Sequence, residues 1–212
     1  MKIYICSIEG LNDAASFDAA SLKICPQRRE KLNKIKGDTD RRRSVCAGLL
    51  LNHAVAAYKA DCSAQEFKVQ ELSIQKLLDT ATQSYEYRQV DNGKPYIADL
   101  SDFYFSLSHS GKYVLCAWDV VALGADLQCM DREVKDSLAK RAMTEKEYIA
   151  YLMLPLQEQE KEFYRLWTIK ESYCKLTGKG LSQDFRKIET EKLNYHAKLW
   201  KGTYWLAVSQ YE

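Results

Sequence analysis

Three stretches of the chain carry side chains whose types and spacing could do chemistry. The longest reads Phe163-Tyr-Arg-Leu-Trp167-Thr-Ile-Lys170-Glu171-Ser-Tyr-Cys-Lys175-Leu-Thr-Gly178-Lys-Gly180-Leu181. Trp167, Glu171 and Lys175 recur every four residues, which on a helix stacks them on one face with Lys170 beside them. A Glu–Lys pair at that spacing is ordinarily a solvated surface pair, but Trp167 on the same stripe makes the face partly buried or cleft-lining. The second stretch, Leu123-Gly-Ala-Asp126-Leu-Gln128, ends a predicted strand with a carboxylate able to hold a hard cation; the plainer reading is a turn aspartate. The third, Phe105-Ser-Leu-Ser108-His109-Ser110-Gly111, brings a serine and a histidine to another strand end. Neighbours on a strand point to opposite faces, so Ser108 and His109 are not by adjacency a nucleophile and its base. A single histidine is more often a structural hydrogen-bonder.

These stretches need elements to position them. Lys2–Ile8 reads as a strand, and Pro26 with the charged run to Lys36 as a short exposed helix. Arg41–Lys59 reads as a longer helix with a buried stripe of Val45, Leu49, Leu50, Val55 and Ala56. The triple Arg41–Arg43 sits at its start, where positive charge opposes the helix dipole. A solvated helix start would account for it, yet the unfavourable placement is evidence for an anionic ligand. Gln65–Thr82 reads as a strand and then a short helix. Ser84–Val90 reads as a strand running into a tight turn at Asp91-Asn92-Gly93. Lys94 in that turn would otherwise be a routine exposed residue. Phe103–Ser108, Tyr113–Trp118 and Val120–Leu127 read as strands, and Arg132–Tyr151 as a helix broken in its middle. Gln157–Leu176 is the strongest helix, with Phe163, Leu166, Trp167, Ile169 and Tyr173 on its apolar face and Gly178 and Gly180 stopping it. Tyr195–Trp200 and Tyr204–Gln210 close the chain as strands.

The 212 residues suit one large domain or two small halves, and 46% hydrophobic content supports a core. No linker separates the halves; the boundary is expected within residues 108–112, giving lobes 1–110 and 111–212. The net charge of +2, from 31 basic and 29 acidic residues, argues against a nucleic-acid partner, which needs a basic excess. No apolar run is long enough to span a membrane, and none resembles a secretory signal. Seven scattered cysteines without a CxxC pair fit a reducing, cytoplasmic setting and read as small buried hydrophobes.

Taken together and in this order, the motifs resemble the 4′-phosphopantetheinyl transferase superfamily, specifically its Sfp-like branch. The pattern is a Phe-x-x-Ser-His-Ser strand end, a Gly-x-Asp strand end, and a Trp-x-x-Lys-Glu-x-x-x-Lys helix followed by Gly-x-Gly-Leu. Gly93-Lys94-Pro95, Pro26-Gln-Arg28-Arg-Glu-Lys31 and the arginine run extend the similarity from about Lys2 to Leu181. The resemblance implies an α+β fold of two similar lobes related by a pseudo-twofold axis, each a small antiparallel sheet packed with helices, with coenzyme A in the cleft between them. It implies transfer of 4′-phosphopantetheine from coenzyme A to a serine of an apo acyl or peptidyl carrier protein, with release of 3′,5′-ADP. Chain length suggests a monomer, and the charge balance and hydropathy above make neither nucleic acid nor membrane an expected partner. Asp126 and Glu171 would ligate Mg²⁺ or Mn²⁺. Lys175 and Lys170 would contact phosphate. Arg28, Lys31, Arg43 (or its neighbour Arg42), Lys94, Ser108 and His109 would grip the nucleotide end.

Phosphoryl transfer needs positioning and charge neutralisation more than covalent help from the protein. Glu171 could accept the serine proton, Lys175 could balance charge on the departing 3′,5′-ADP, and Asp126 completes the expected catalytic set. The chain departs from the pattern at Gln128, where many relatives carry a second acid. An amide there leaves two protein carboxylates for the metal, with Gln128 joining directly, through water, or from a second layer. Ser106 and Ser172 stand where Asn and Ala are common, and Ala125 stands where Ile or Val is usual, which would loosen local packing. The alternative function is a non-catalytic module that binds coenzyme A or a carrier protein; Gln128 is its one supporting feature.

Overall fold

Strand β1 (Lys2–Ser7) is an inner strand of its sheet and has four fully or nearly buried residues in a row, Ile3 to Cys6. A computed structural model describes residues 1–60, 67–90, 93–179 and 183–211 of the protein. Contacts divide the chain into two units, Met1–Ala122 and Leu123–Glu212.

In the first unit the sheet order is β2-β1-β6-β5, with β2 (Lys68–Glu71), β5 (Tyr104–Ser110) and β6 (Tyr113–Asp119). β1 runs antiparallel to β6 and β5 antiparallel to β6, but β1 and β2 are parallel, so the sheet is not purely antiparallel. The parallel pairing is possible because a long crossover separates the two strands. That crossover contains α1 (Ala14–Lys23), α2 (Pro26–Leu32) and α3 (Asp38–Ala60). Helix α3 is the long helix expected from Arg41–Lys59; of its expected stripe, Val45, Leu49, Leu50 and Val55 are fully buried in one core with Tyr4, Cys6, Phe105, Cys116 and Trp118, while Ala56 is half-buried. Each such aliphatic side chain contributes about 1.5–3 kcal/mol on burial. Helix α1 lacks a strong apolar periodicity and was not expected; Asp13 caps it by accepting a bond from the Ser16 amide at 2.8 Å. A short helix α4 (Ile74–Asp79) and the hairpin of β3 (Tyr87–Gln89) and β4 (Pro95–Ile97) complete the unit. The tight turn expected at Asp91 and Asn92 lies outside the described residues. Gly93 is described, with φ of 83°.

In the second unit β7 (Leu123–Cys129), β9 (Tyr204–Gln210) and β8 (Tyr195–Trp200) form an antiparallel sheet in the order β7-β9-β8. The expected broken helix is two helices, α5 (Asp136–Ala142) and α6 (Glu145–Leu152). Thr144 starts α6 with a full capping box: its hydroxyl accepts from the Glu147 amide, and the Glu147 carboxylate accepts from the Thr144 amide at 2.8 Å. Helix α7 (Leu156–Thr177) lies on β7 and β9 and stops at Gly178, whose φ of 71° suits glycine. The expected stop at Gly180 lies outside the described residues, as does Cys62.

The boundary differs from the expected 110/111. That point falls within the hairpin of β5 and β6, and β6 bonds to both β5 and β1, so it belongs to the first unit. Cys6, Cys25, Cys46, Cys116 and Cys174 are buried free thiols, as small hydrophobes should be, while Cys129 is half-buried. No helix among the described residues is long and apolar enough to cross a membrane.

Candidate active site

Asp126 lies on β7 directly beneath α7, and a glycine makes that possible. A Cβ on Gly124 would sit 2.1 Å from the Ser172 carbonyl oxygen and 2.2 Å from the Leu176 amide nitrogen, both backbone atoms of α7. Only glycine lets helix and strand approach this closely. Two residues along, on the same face of β7, Asp126 is 2% exposed. The Lys175 ammonium donates to Asp126 Oδ1 at 2.7 Å, and the Gln128 amide Nε2 donates to Asp126 Oδ2 at 3.0 Å. A buried hydroxyl pair, Ser172 with Ser209 at 2.7 Å, ties α7 to β9 beside this point; Ser172 also donates to the Ile169 carbonyl. Ala125 is fully buried in the close packing around it.

Glu171, one turn before Lys175 on α7, is half-buried. Burial, then the negative charge of Asp126, pushes its carboxyl up to about 7, against the opposing pull of Lys175. Glu171 and Lys175 thus share a face as their four-residue spacing predicts, and Asp126 of β7 lies beside them. A carboxyl poised near neutrality can exchange a proton there, and two neighbouring carboxylates favour a divalent cation between them. Among the described residues, no group of three or more His, Cys, Asp or Glu side chains could cage a metal. Two carboxylates are oxygen donors of the kind that suit Mg²⁺ or Mn²⁺, and the donor set therefore fits the implied ion.

Lys170 is not part of this constellation. Its side chain is fully buried, and its ammonium donates to the Ala142 carbonyl at 2.9 Å, the Phe185 carbonyl at 2.9 Å and Glu147 Oε2 at 2.5 Å. All three donors are in use, so the expectation that Lys170 grips phosphate is corrected: it is a structural residue. Burial pulls the ammonium below its ordinary value, and the bond to Glu147 holds it up. Burial alone would raise Glu147, but Lys170, the Thr144 amide and the Thr190 hydroxyl outweigh it and keep that carboxyl low. Sequence spacing missed this because the partners come from α6 and from residues far along the chain. The Thr144-x-x-Glu147 capping signature was the available clue.

In the first unit the remaining candidates form two groups. Arg43 donates to the Gly111 carbonyl from Nη2 at 2.6 Å and from Nε at 3.2 Å, which ties α3 to the turn after His109. Arg42 instead bonds Asn12, and Arg41 lies over the Phe17 ring. The three arginines therefore diverge, and Arg43 alone joins the strand end carrying Ser108 and His109. Ser108 is 7% exposed, whereas His109 is exposed. Arg28 and Lys31 both approach the Tyr87 ring, at 5.8 and 5.7 Å, and Lys31 donates to Gln89 Oε1 at 2.8 Å. Gln89 Nε2 in turn donates to the Gly93 carbonyl beside Lys94. Burial pulls the half-buried Lys94 ammonium down from its ordinary value. Gly180 and Leu181 of the long motif lie outside the described residues.

A family profile described as the 4′-phosphopantetheinyl transferase superfamily matches residues 122–205. The chain is 33% identical over 160 residues to the 4′-phosphopantetheinyl transferase Sfp of Bacillus subtilis (strain 168), covering 75% of this chain and 62% of that protein. It is 32% identical over 183 residues to another Bacillus subtilis 4′-phosphopantetheinyl transferase, covering 86% and 72% respectively. Over 97 residues it is 40% identical to the 4′-phosphopantetheinyl transferase HetI of Nostoc, covering 43% and 40%. The chain thus spans less than two thirds of the first of these relatives and more of the second.

Proposed function

This chain belongs to the 4′-phosphopantetheinyl transferase superfamily, in its Sfp-like branch, and we propose that it moves the 4′-phosphopantetheine arm of coenzyme A onto a serine of an apo acyl or peptidyl carrier protein. The serine Oγ forms a bond to the phosphorus that carries the pantetheine arm, the bond from that phosphorus to the bridging pyrophosphate oxygen breaks, and 3′,5′-ADP leaves. The observation that carries this reading is the grouping of Asp126, Glu171 and Lys175, with the Glu171 carboxyl held near 7.

Glu171 in its carboxylate form takes the serine proton; a base whose pKa lies near the working pH does this most effectively. Lys175, about a third exposed and oriented by Asp126, offers its ammonium charge to the departing phosphate oxygens. A divalent cation, Mg²⁺ or Mn²⁺, held by Asp126 and Glu171 would supply charge neutralisation at the pyrophosphate. In the first unit, Arg43, Ser108 and His109 form one set of donors, and Arg28, Lys31 and Lys94 another, for the phosphates of the nucleotide end. The carrier, typically an acidic helical domain, would dock with a salt-sensitive rate. A cytoplasmic monomer suits the buried free thiols and the size of the chain.

The test is intact-protein mass spectrometry of an apo carrier protein mixed with this protein, coenzyme A and Mg²⁺. A gain of roughly 340 Da on the carrier, the mass of one phosphopantetheine, is the expected result. No gain on acyl and peptidyl carriers alike, from folded protein that still binds coenzyme A, would make it a binding module instead.

A further inference from the structure

We infer that Gln128 is a positioning residue whose side-chain amide holds the Asp126 carboxylate in the orientation a divalent cation needs, and is not itself a ligand. This rests on the reading of Asp126 as a metal-binding carboxylate.

Asp126 and Gln128 are two apart on β7 and so share a face, with Ala207 and Trp205 opposite them on β9. Each Asp126 oxygen receives its own donor: Lys175 Nζ on Oδ1 at 2.7 Å, Gln128 Nε2 on Oδ2 at 3.0 Å. The two donors come from different elements, α7 and β7, so together they fix the plane of the carboxylate as well as its place. The orientation of the amide follows from chemistry: with Oε1 turned inward, two acceptors would face each other at 3.0 Å. The nitrogen therefore faces Asp126, and the amide cannot point its oxygen at the same spot. A carboxylate oxygen carries two lone pairs, so a bond from Gln128 does not by itself stop Asp126 from ligating. Asp126 is 2% exposed, which means solvent cannot take over a donor that is removed. The amide also supplies its hydrogen without charge. Asp126 and Glu171 already share the Lys175 ammonium, and a further carboxylate at position 128 would add to their repulsion.

The test uses Mn²⁺ alone, followed by the electron paramagnetic resonance signal of the free ion, on wild type, Gln128→Met and Asp126→Ala. Methionine keeps nearly the volume of glutamine and removes the donor. Loss of a group that orients a ligating carboxylate costs about 10–100-fold in metal affinity, so Gln128→Met should bind Mn²⁺ at least tenfold more weakly. Its metal-free unfolding temperature should stay within a few degrees of wild type. The second readout is the Gln128 side-chain NH₂ signal in ¹⁵N-labelled protein: Asp126→Ala should move it, and saturation of wild type with Mg²⁺ should leave it hydrogen-bonded. Mn²⁺ binding by Gln128→Met at wild-type strength or tighter overturns the inference, as does an NH₂ signal indifferent to Asp126→Ala. Mn²⁺ binding that Asp126→Ala leaves unchanged overturns it too. A wild type that binds Mn²⁺ through Asp126, loses it in Gln128→Met, and transfers nothing supports the inference while removing the proposed activity. A wild type that transfers normally beside a Gln128→Met protein of unchanged affinity removes the inference alone.

Discussion

Replacing Gly124 by alanine adds one methyl group where α7 rests on β7. Its Cβ would stand 2.1 Å from the Ser172 oxygen, 2.2 Å from the Leu176 nitrogen and 2.8 Å from the Leu176 Cα. All three are backbone atoms, so no rotamer change can make room. Ordinary contact begins at 3.4 Å, and the shortest of these must therefore open by about 1.3 Å. Overpacking of this kind costs about 1–3 kcal/mol, and a rigid backbone clash belongs at the upper end. At about 3 kcal/mol the unfolding temperature should fall by roughly 6–12 °C for a chain of this size. The same withdrawal would carry Glu171 and Lys175 away from Asp126, stretching the 2.7 Å ion pair to about 4 Å, beyond hydrogen-bond range. Displacement of reacting groups by about 1 Å can cost on the order of 100-fold in rate. Circular-dichroism melting and the initial rate of carrier modification by intact mass measure the two effects separately. An unfolding temperature within 2 °C of wild type would refute the close-approach argument. A lowered temperature with an unchanged rate would instead show that helix placement does not set the chemistry.

Glu171→Gln should abolish carrier modification while the melting curve stays close to wild type, because it changes charge and not volume; a normal rate removes Glu171 from the mechanism. Lys170→Met should destabilise the protein by about 3–5 kcal/mol, since it strands the Glu147 charge in the interior, and this is read as the shift in urea midpoint. If Lys170→Met instead keeps full stability and loses only coenzyme A affinity, the structural role assigned to it is wrong. The Glu147 carboxyl is held below its ordinary value, so its ionised form adds stability above pH 4.5 that fades as the pH falls through the lowered value. Glu147→Gln should accordingly be less stable at neutral pH and lose less stability on acidification than wild type does; parallel pH–stability curves would contradict this.

Apolar patterning was enough to find α3 and α7: α3 is buried without a break from Val45 to Asn52, and α7 buries Phe163, Leu166 and Ile169 at helical spacing. It missed α1, where only Ala20 is buried and the start is set by the Asp13 side chain. The parallel β1–β2 pair could not be read from strand-like composition, since pairing direction depends on where the crossover returns. At the site, the four-residue spacing correctly joined Glu171 to Lys175, and the strand end supplied Asp126. The same spacing misplaced Lys170, only one residue from Glu171. A step of one residue turns a helix by about 100°, and that step took Lys170 from the site into carbonyls of other segments. Arg41, Arg42 and Arg43 diverge for the same reason. The glycine of Gly-x-Asp was visible as a motif letter, but its function, letting two backbones touch, is a property of packing.

The buried Lys170–Glu147 pair has a consequence for how the second unit opens. Through Lys170 and Glu147, the end of α5, the capping turn of α6, the middle of α7, Phe185 and Thr190 share one set of hydrogen bonds. None of these segments can fray without leaving a buried charge short of a partner, so they should open together or not at all. Amide hydrogen exchange would then show the α6 cap and the residues near Phe185 and Thr190 sharing the protection of α7, although two of them are only single turns. A lysine inside a motif read for its chemistry would thus act as the hinge pin of a cooperative folding block.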